Sequence, residues 1–249
     1  MNWRALVAEA VGTFVLVGMG SLGVASALLF GGQSFGLPLI MIVVPFAFGF
    51  GLMGAIAIAG DASGGHFNPA VTLAAVLDRR VRWTEGLQYA VAQAVGAFAA
   101  SGFILVVLSA DFVRATINQP GQIAASSLEQ ELHAFVVELV LTAIFIAVIL
   151  TVTARHPGKS IFVIPLTLIA IHFAGVPVSG ASVNPIRSLA PAVWTGTYTG
   201  LWVYLTAPFL GAIAGWGVFR LLYPADEGDV GDLEDELEED YLEDALEPE

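Results

Sequence analysis

One short pattern occurs twice in this chain of 249 residues and constrains the fold more than any other feature. Ser63-Gly64-Gly65-His66-Phe67-Asn68-Pro69-Ala70 returns 116 positions later as Ser179-Gly180-Ala181-Ser182-Val183-Asn184-Pro185-Ile186, and each copy lies between long apolar stretches. Asn is a good helix N-cap because its side-chain oxygen accepts from the first free backbone N–H groups. Pro suits the next position, where a missing N–H costs nothing. Each box therefore reads as the start of a short helix. One Asn-Pro pair would be an ordinary turn or helix start; two in matching surroundings imply two halves built on one plan.

Composition says where those halves reside. Hydrophobic residues make up 57% of the chain and charged ones 12%, against roughly 25% charged in a soluble domain. With a mean hydropathy of +0.80, the chain reads as an integral membrane protein. The first apolar run, Ala5 to Phe30, is too long for a cleaved signal and contains Glu9, so it is expected to stay as a spanning helix. The absence of cysteine excludes disulfides and thiolate metal sites. No nucleophile–base pair or cluster of metal ligands stands out, so no enzyme activity, cofactor or metal is expected. The net charge of −13 is unevenly placed: residues 225–249 hold 14 of the 22 acids and no base. The rest is a near-neutral body, 1–224, with nothing basic enough for nucleic acid.

Six spanning segments are expected, at roughly 5–29, 38–59, 84–109, 130–153, 160–175 and 200–223. The segments after the Asn-Pro pairs, 69–77 and 185–194, reach only about 15 Å as helices, half a bilayer, and read as re-entrant half-helices. The repeat extends further: Glu9 has a counterpart in Glu138, and Gly96 and Gly102 return 115 residues later as Gly211 and Gly217. Three spans per half is an odd number, so the halves lie inverted in the membrane with their equivalent sites near the midplane. The expected fold is therefore an all-α membrane protein of six tilted helices, two half-helices and an inverted three-helix repeat. With both termini in the cytoplasm, Arg4, Arg79, Arg80, Arg82, Arg155, Lys159 and Arg220 fall on the inner side, leaving only Arg114 and Arg187 outside. That is a strong positive-inside bias.

Two half-helices meeting start to start would present the amide NH2 groups of Asn68 and Asn184 and two positive dipole ends. A water there accepts from both donors, passes no proton on, and a cation is repelled. A secondary transporter would also use inverted repeats, but it would want titratable groups at the midplane, where this chain has asparagines. Glu9 and Glu138 are intramembrane acids; the expected role is to accept hydrogen bonds from the re-entrant loops, a proton relay being the other reading.

With these motifs, the chain resembles the aquaporin (major intrinsic protein) family over about residues 5–223. The resemblance rests on the paired Asn-Pro boxes, on Ser63-Gly64-Gly65-His66 before the first and on Arg187 directly after the second. It implies a homotetramer with one pore per subunit, in the plasma membrane, with water as the permeant. Exclusion of ions by pore diameter, lining donors and half-helix dipoles is general knowledge of such channels. The resemblance also implies an outer constriction of Phe48, His172, Ala181 and Arg187, the water-selective set. Backbone carbonyls of Gly64, Gly65, His66, Gly180, Ala181 and Ser182 would line the pore. His66 itself is expected to brace the loop. Glycerol-conducting relatives typically carry a small residue at the His172 position and Asp after the arginine, where this chain has Ser188. The alternative, a facilitator of glycerol or other small neutral solutes, draws on three departures: Ile186 in place of the usual alanine, the small Ala181, and Tyr204-Leu205 where water channels often have Phe-Trp. Asp61 is an unusual charge at the inner mouth.

The acidic tail, 225–249, is too charged to pack alone. Leu233, Leu237 and Tyr241 share a helical spacing that would suit a partner; the plainer reading is a solvated appendage.

Overall fold

The computed structural model describes residues 2–31, 33–34, 37–121 and 126–224. Helix α1 (Trp3–Phe30) is capped by Asn2, whose side chain accepts from Ala5 N. A two-residue antiparallel ribbon, β1 (Gln33–Ser34) with β2 (Leu37–Pro38), joins it to α2 (Ile40–Ser63). Half-helix α3 (Pro69–Leu77) precedes α4 (Trp83–Val107), and a short α5 (Ala110–Ala115) follows. The second half repeats the order with α6 (Ser127–Arg155), α7 (Ser160–Ser179), half-helix α8 (Pro185–Thr195) and α9 (Leu201–Leu222). Six of these helices are long and apolar enough to cross a membrane. Short α5, the ribbon and a 3-10 turn at Pro157–Lys159 are additions to the expected plan.

The half-helix starts lie where cap chemistry puts them. Asn68 accepts from Ala70 N, and Asn184 from Ile186 N and Arg187 N. The spans before them run longer than expected, to Ser63 rather than 59 and to Ser179 rather than 175. Polarity does not end these helices; a glycine does. Gly64 (φ 87°) and Gly180 (φ 80°) each take the left-handed C-cap, donating back to Gly60 O at 2.8 Å and Val176 O at 3.1 Å.

Packing follows the repeat. Helix α1 lies against α2 and α4, and α6 lies against α7 and α9. A Cβ on Gly96 would run into Ala10 O, and one on Gly211 into Leu139 O, so these glycines let the paired backbones approach closely. The second glycine pair does not repeat in packing: a Cβ on Gly102 would meet Trp194, whereas one on Gly217 would meet no other element among the described residues. Outward faces carry Val7, Val11, Phe50, Leu87, Val91, Val136 and Val140, the apolar surface a bilayer accepts.

Ile186 does not sit between the half-helices. It packs with Val17, Ala97 and Ala100 on α1 and α4, while Ala70 packs with Ile146 and Ala212 on α6 and α9. Ile186 meets Val17 where Ala70 meets Ile146, so the smaller neighbour offsets one methylene of the three-carbon difference between the two boxes.

Candidate functional site

The two loops before the half-helices adopt one backbone. Gly64 and Gly180, Gly65 (φ 68°) and Ala181 (φ 49°), Phe67 (φ 51°) and Val183 (φ 45°) all have positive φ. A β-branched residue at positive φ is strained and needs strong external fixation. Glu9 and Glu138 supply it. Glu9 accepts from Ser63 Oγ at 2.6 Å, His66 N at 3.0 Å, Phe67 N at 2.7 Å and Gln93 Nε2 at 2.7 Å. Glu138 accepts from Ser179 Oγ at 2.7 Å and from Ser182 N and Val183 N at 2.8 Å each. Both carboxylates are fully buried and ringed by donors, which is how a buried charge is tolerated.

Further pairs obey the same symmetry and were not singled out from the sequence. The serine hydroxyls cap their own loops, from Gly65 N to Ser63 Oγ and Ala181 N to Ser179 Oγ, 3.1 Å each. Tyr89 donates to Ser63 O at 3.1 Å and Tyr204 to Ser179 O at 2.7 Å. Tyr204 is thus a buried strut holding the loop; it does not face the pore, and its difference from the usual aromatic says nothing about solute choice. The signal was available: Tyr89 and Tyr204 are separated by the same interval as Gly96 and Gly211. Gln93 has no twin, Pro208 standing at its counterpart.

At the centre the asparagines cross over. Asn68 Nδ2 donates to Val183 O at 2.7 Å, and Asn184 Nδ2 donates to Phe67 O at 3.0 Å. One N–H of each amide therefore ties the halves together, and one remains for the pore, half of what the expectation of free NH2 groups supposed. A cavity of about 340 Å³ runs past both asparagines, lined by Gly64, Gly65, His66 and Ser182 as expected. Gly180 and Ala181 are not among its lining residues, and Gly180 O accepts from Asn118 Nδ2 at 2.9 Å. The His66 ring braces the loop, 3.1 Å from Thr72 Oγ1 and edge-on to Tyr89, and also touches the cavity.

Phe48, His172 and Arg187 line one end of this cavity together. The Phe48 and His172 rings stack with centroids 4.7 Å apart, and the Arg187 guanidinium lies 4.7 Å over the Phe48 ring. Ala181 is completely buried beside Gly175, small enough to leave room. His172 Nδ1 lies 2.9 Å from Leu168 O, so it carries the proton there and leaves Nε2 as an acceptor in the neutral ring. His172 Nε2 and Arg187 Nε are buried without partners among the described residues. In that tautomer His172 Nε2 can only accept, while Arg187 Nε can only donate.

Arg187 is held by the segment that follows α5. Its Nη1 donates to Thr116 O at 2.9 Å and to Asn118 Oδ1. At the opposite end, Arg80, Val81 and Thr153 line the cavity. Buried Asp78 pairs with Arg80 and Arg220 at 2.7 Å each, tying the end of α3 to α9. Asp61 is exposed and is not among the lining residues.

A family model described as Major intrinsic protein matches residues 1–219. The chain belongs to the major intrinsic protein family. It is a multi-pass membrane channel and not an enzyme. Aquaporin Z of Photorhabdus laumondii is 36% identical over 237 residues, covering 88% of this chain and 97% of the relative. Glycerol uptake facilitator protein-like 6 of Lactiplantibacillus plantarum is 35% identical, covering 84% and 94%. The X-ray structure of the aquaglyceroporin from Plasmodium falciparum superposes with a TM-score of 0.77 over 90% of this chain and 98% of that one; at 22% identity it speaks to the fold.

Proposed function

We propose that this channel passes water and excludes protons, ions and glycerol. The observation that carries the reading is the cluster of Phe48, His172 and Arg187 at one end of the cavity, with ring and guanidinium separations of 4.7 Å. At that spacing the three groups touch one another and form one bulky wall at this end of the cavity; on this reading the opening left beside them admits water and not a three-carbon polyol. A cation about 4 Å from Arg187 meets roughly 4 kcal/mol of repulsion at an effective dielectric of ~20, about a thousandfold discrimination that water escapes. Deeper in, the spare amide hydrogens of Asn68 and Asn184 orient each passing water as an acceptor. Glu9 and Glu138 act as structural anchors in this scheme, since Glu9 accepts four hydrogen bonds and Glu138 three, all from the re-entrant loops or a neighbouring amide.

The same reading takes residues 1–224 as the channel body and 225–249 as an acidic cytoplasmic tail, a solvated appendage or the docking segment for a partner. It assigns a homotetramer in the plasma membrane with both termini inside. A glycerol facilitator is the competing reading, favoured by the small Ala181 and by the glycerol-uptake relative. Stopped-flow light scattering of proteoliposomes separates the two: a fast response to a sucrose gradient and slow re-swelling in glycerol are expected, and comparably fast glycerol entry overturns water selectivity.

A further inference from the structure

The end of half-helix α3 poses an electrostatic problem that its neighbours solve. A helix C-terminus carries a partial negative charge, and here the C-cap is Asp78, which adds a full one. Both lie beside the mouth of the cavity opposite Arg187, where Arg80, Val81 and Thr153 form the lining. Left alone, such a mouth would attract cations. The chain turns there in a Schellman cap: Arg79, at φ 58°, donates its N–H to Val76 O at 3.0 Å, and Arg80 N donates to Ala75 O at 2.9 Å. Three bonds then fix the Arg80 side chain. Its Nε donates to Asp78 Oδ2 at 2.7 Å, its Nη1 to Thr153 Oγ1 at 2.6 Å and its Nη2 to Leu150 O at 3.1 Å. A guanidinium has five N–H groups, so two stay free of these partners.

These bonds lock α3 to α6, but locking alone does not account for Arg80. Asp78 already has Arg220 Nε on its Oδ1 at 2.7 Å and Trp216 Nε1 at 3.1 Å. One arginine would neutralise it; two guanidinia against one carboxylate leave the cluster a net charge of +1. Among the described residues no acid lines the cavity, so nothing across the lumen cancels the surplus. The matching positions of the second half, Trp194 and Gly196, carry no charge, so the arrangement belongs to one mouth. We infer that Arg80 is a second specificity-determining residue of the channel: it turns a mouth that α3 and Asp78 make negative into a cation-repelling one, a barrier in series with Arg187. The Arg80 side chain is 31% exposed, whereas Arg187 is 6% exposed. Water and salt screen the more exposed charge more strongly, so the Arg80 barrier is the weaker of the two. The inference rests on the reading of this cavity as an ion-excluding pore.

Wild type, Arg187→Val and the double variant Arg187→Val with Arg80→Gln test it. Glutamine keeps a donor for Thr153 and Leu150 and removes the charge, while Asp78 keeps Arg220 and Trp216. The proteins are reconstituted in neutral lipid. Proton flux, read by an entrapped pH dye, is divided by water flux, read by sucrose shrinkage, so that differences in insertion cancel. The ratio for the double variant is expected to exceed that for Arg187→Val at least about threefold. Raising the salt from about 0.01 to 1 M shortens the screening length from about 30 to 3 Å. The leak of Arg187→Val is expected to rise across that range, because Arg80 is its remaining barrier, and that of the double variant to stay flat. A double variant no leakier than a leaky Arg187→Val overturns the inference and leaves the Arg187 constriction standing; a lowered unfolding midpoint then marks Arg80 as a lock only. If Arg187→Val is tight and the double variant leaks, Arg80 suffices as a barrier and the inference holds. If both are tight, neither charge excludes protons, and the inference falls together with the role given to Arg187. Should the double variant not assemble, the salt series on Arg187→Val decides: a rising leak supports the Arg80 barrier, and a flat one overturns it.

Discussion

Replacing Glu9 by Gln tests the claim that a buried carboxylate holds the first half-helix in register. Glu9 receives four hydrogen bonds, from Ser63 Oγ, His66 N, Phe67 N and Gln93 Nε2. A neutral amide offers one accepting oxygen in place of two. Whichever way it turns, its NH2 faces a backbone N–H, either that of His66 or that of Phe67. Ser63 can rotate its hydroxyl and Gln93 can present its unpartnered Oε1, but a backbone N–H cannot adapt. One buried donor is therefore orphaned, at a cost of about 1–3 kcal/mol, and the surviving bonds lose charge assistance worth about 1 kcal/mol each. The total, about 3–5 kcal/mol, is a large fraction of a typical folding free energy. It corresponds to a fall of roughly 5–15 °C in the apparent unfolding midpoint of a chain this long. Function should follow, because Phe67 O holds Asn184 across the centre. Glu138→Gln orphans one N–H as well, with three donors to begin with, and is expected to lose slightly less. The assay is thermal unfolding in detergent beside water flux in proteoliposomes. A midpoint within about 2 °C of wild type with normal flux refutes the anchoring role. A normal midpoint with altered proton flux points to a relay instead.

Widening the constriction by His172→Gly with Phe48→Trp is expected to raise glycerol permeability severalfold relative to water; an unchanged ratio in stopped-flow swelling shows that these side chains do not set the opening. In Gly12→Ala the new methyl overlaps the Phe67 ring, which lies directly on Gly12; overpacking of this kind costs about 1–3 kcal/mol, and a midpoint equal to wild type refutes the close approach. Deleting 225–249 removes 14 acids and is expected to leave assembly and unit water permeability unchanged from about pH 5 to 8 at low and high salt; curves that diverge between full-length and truncated protein would make the tail a regulator.

Some of this was written locally and could be read locally. The two Asn-Pro caps needed only neighbouring backbone N–H groups, so α3 began and ended where expected, at Pro69 and Leu77. The spans followed from the length of the apolar runs, and the pairing of Glu9 with Glu138 and Gly96 with Gly211 followed from a constant interval. The spans end later than expected, at Ser63 and Ser179, where a left-handed glycine caps each helix. What no local pattern carried was partnership across the chain. Arg187 finds Thr116 and Asn118, 71 and 69 residues away, and each asparagine amide reaches the opposite loop, 115 and 117 residues away. These meetings depend on how the helices cross and rotate, which is decided by close backbone contacts such as Gly96 on Ala10 O and Gly211 on Leu139 O. A one-dimensional hydropathy pattern marks which segments enter the membrane. Only three-dimensional packing determines which lone pair faces which donor once they are there.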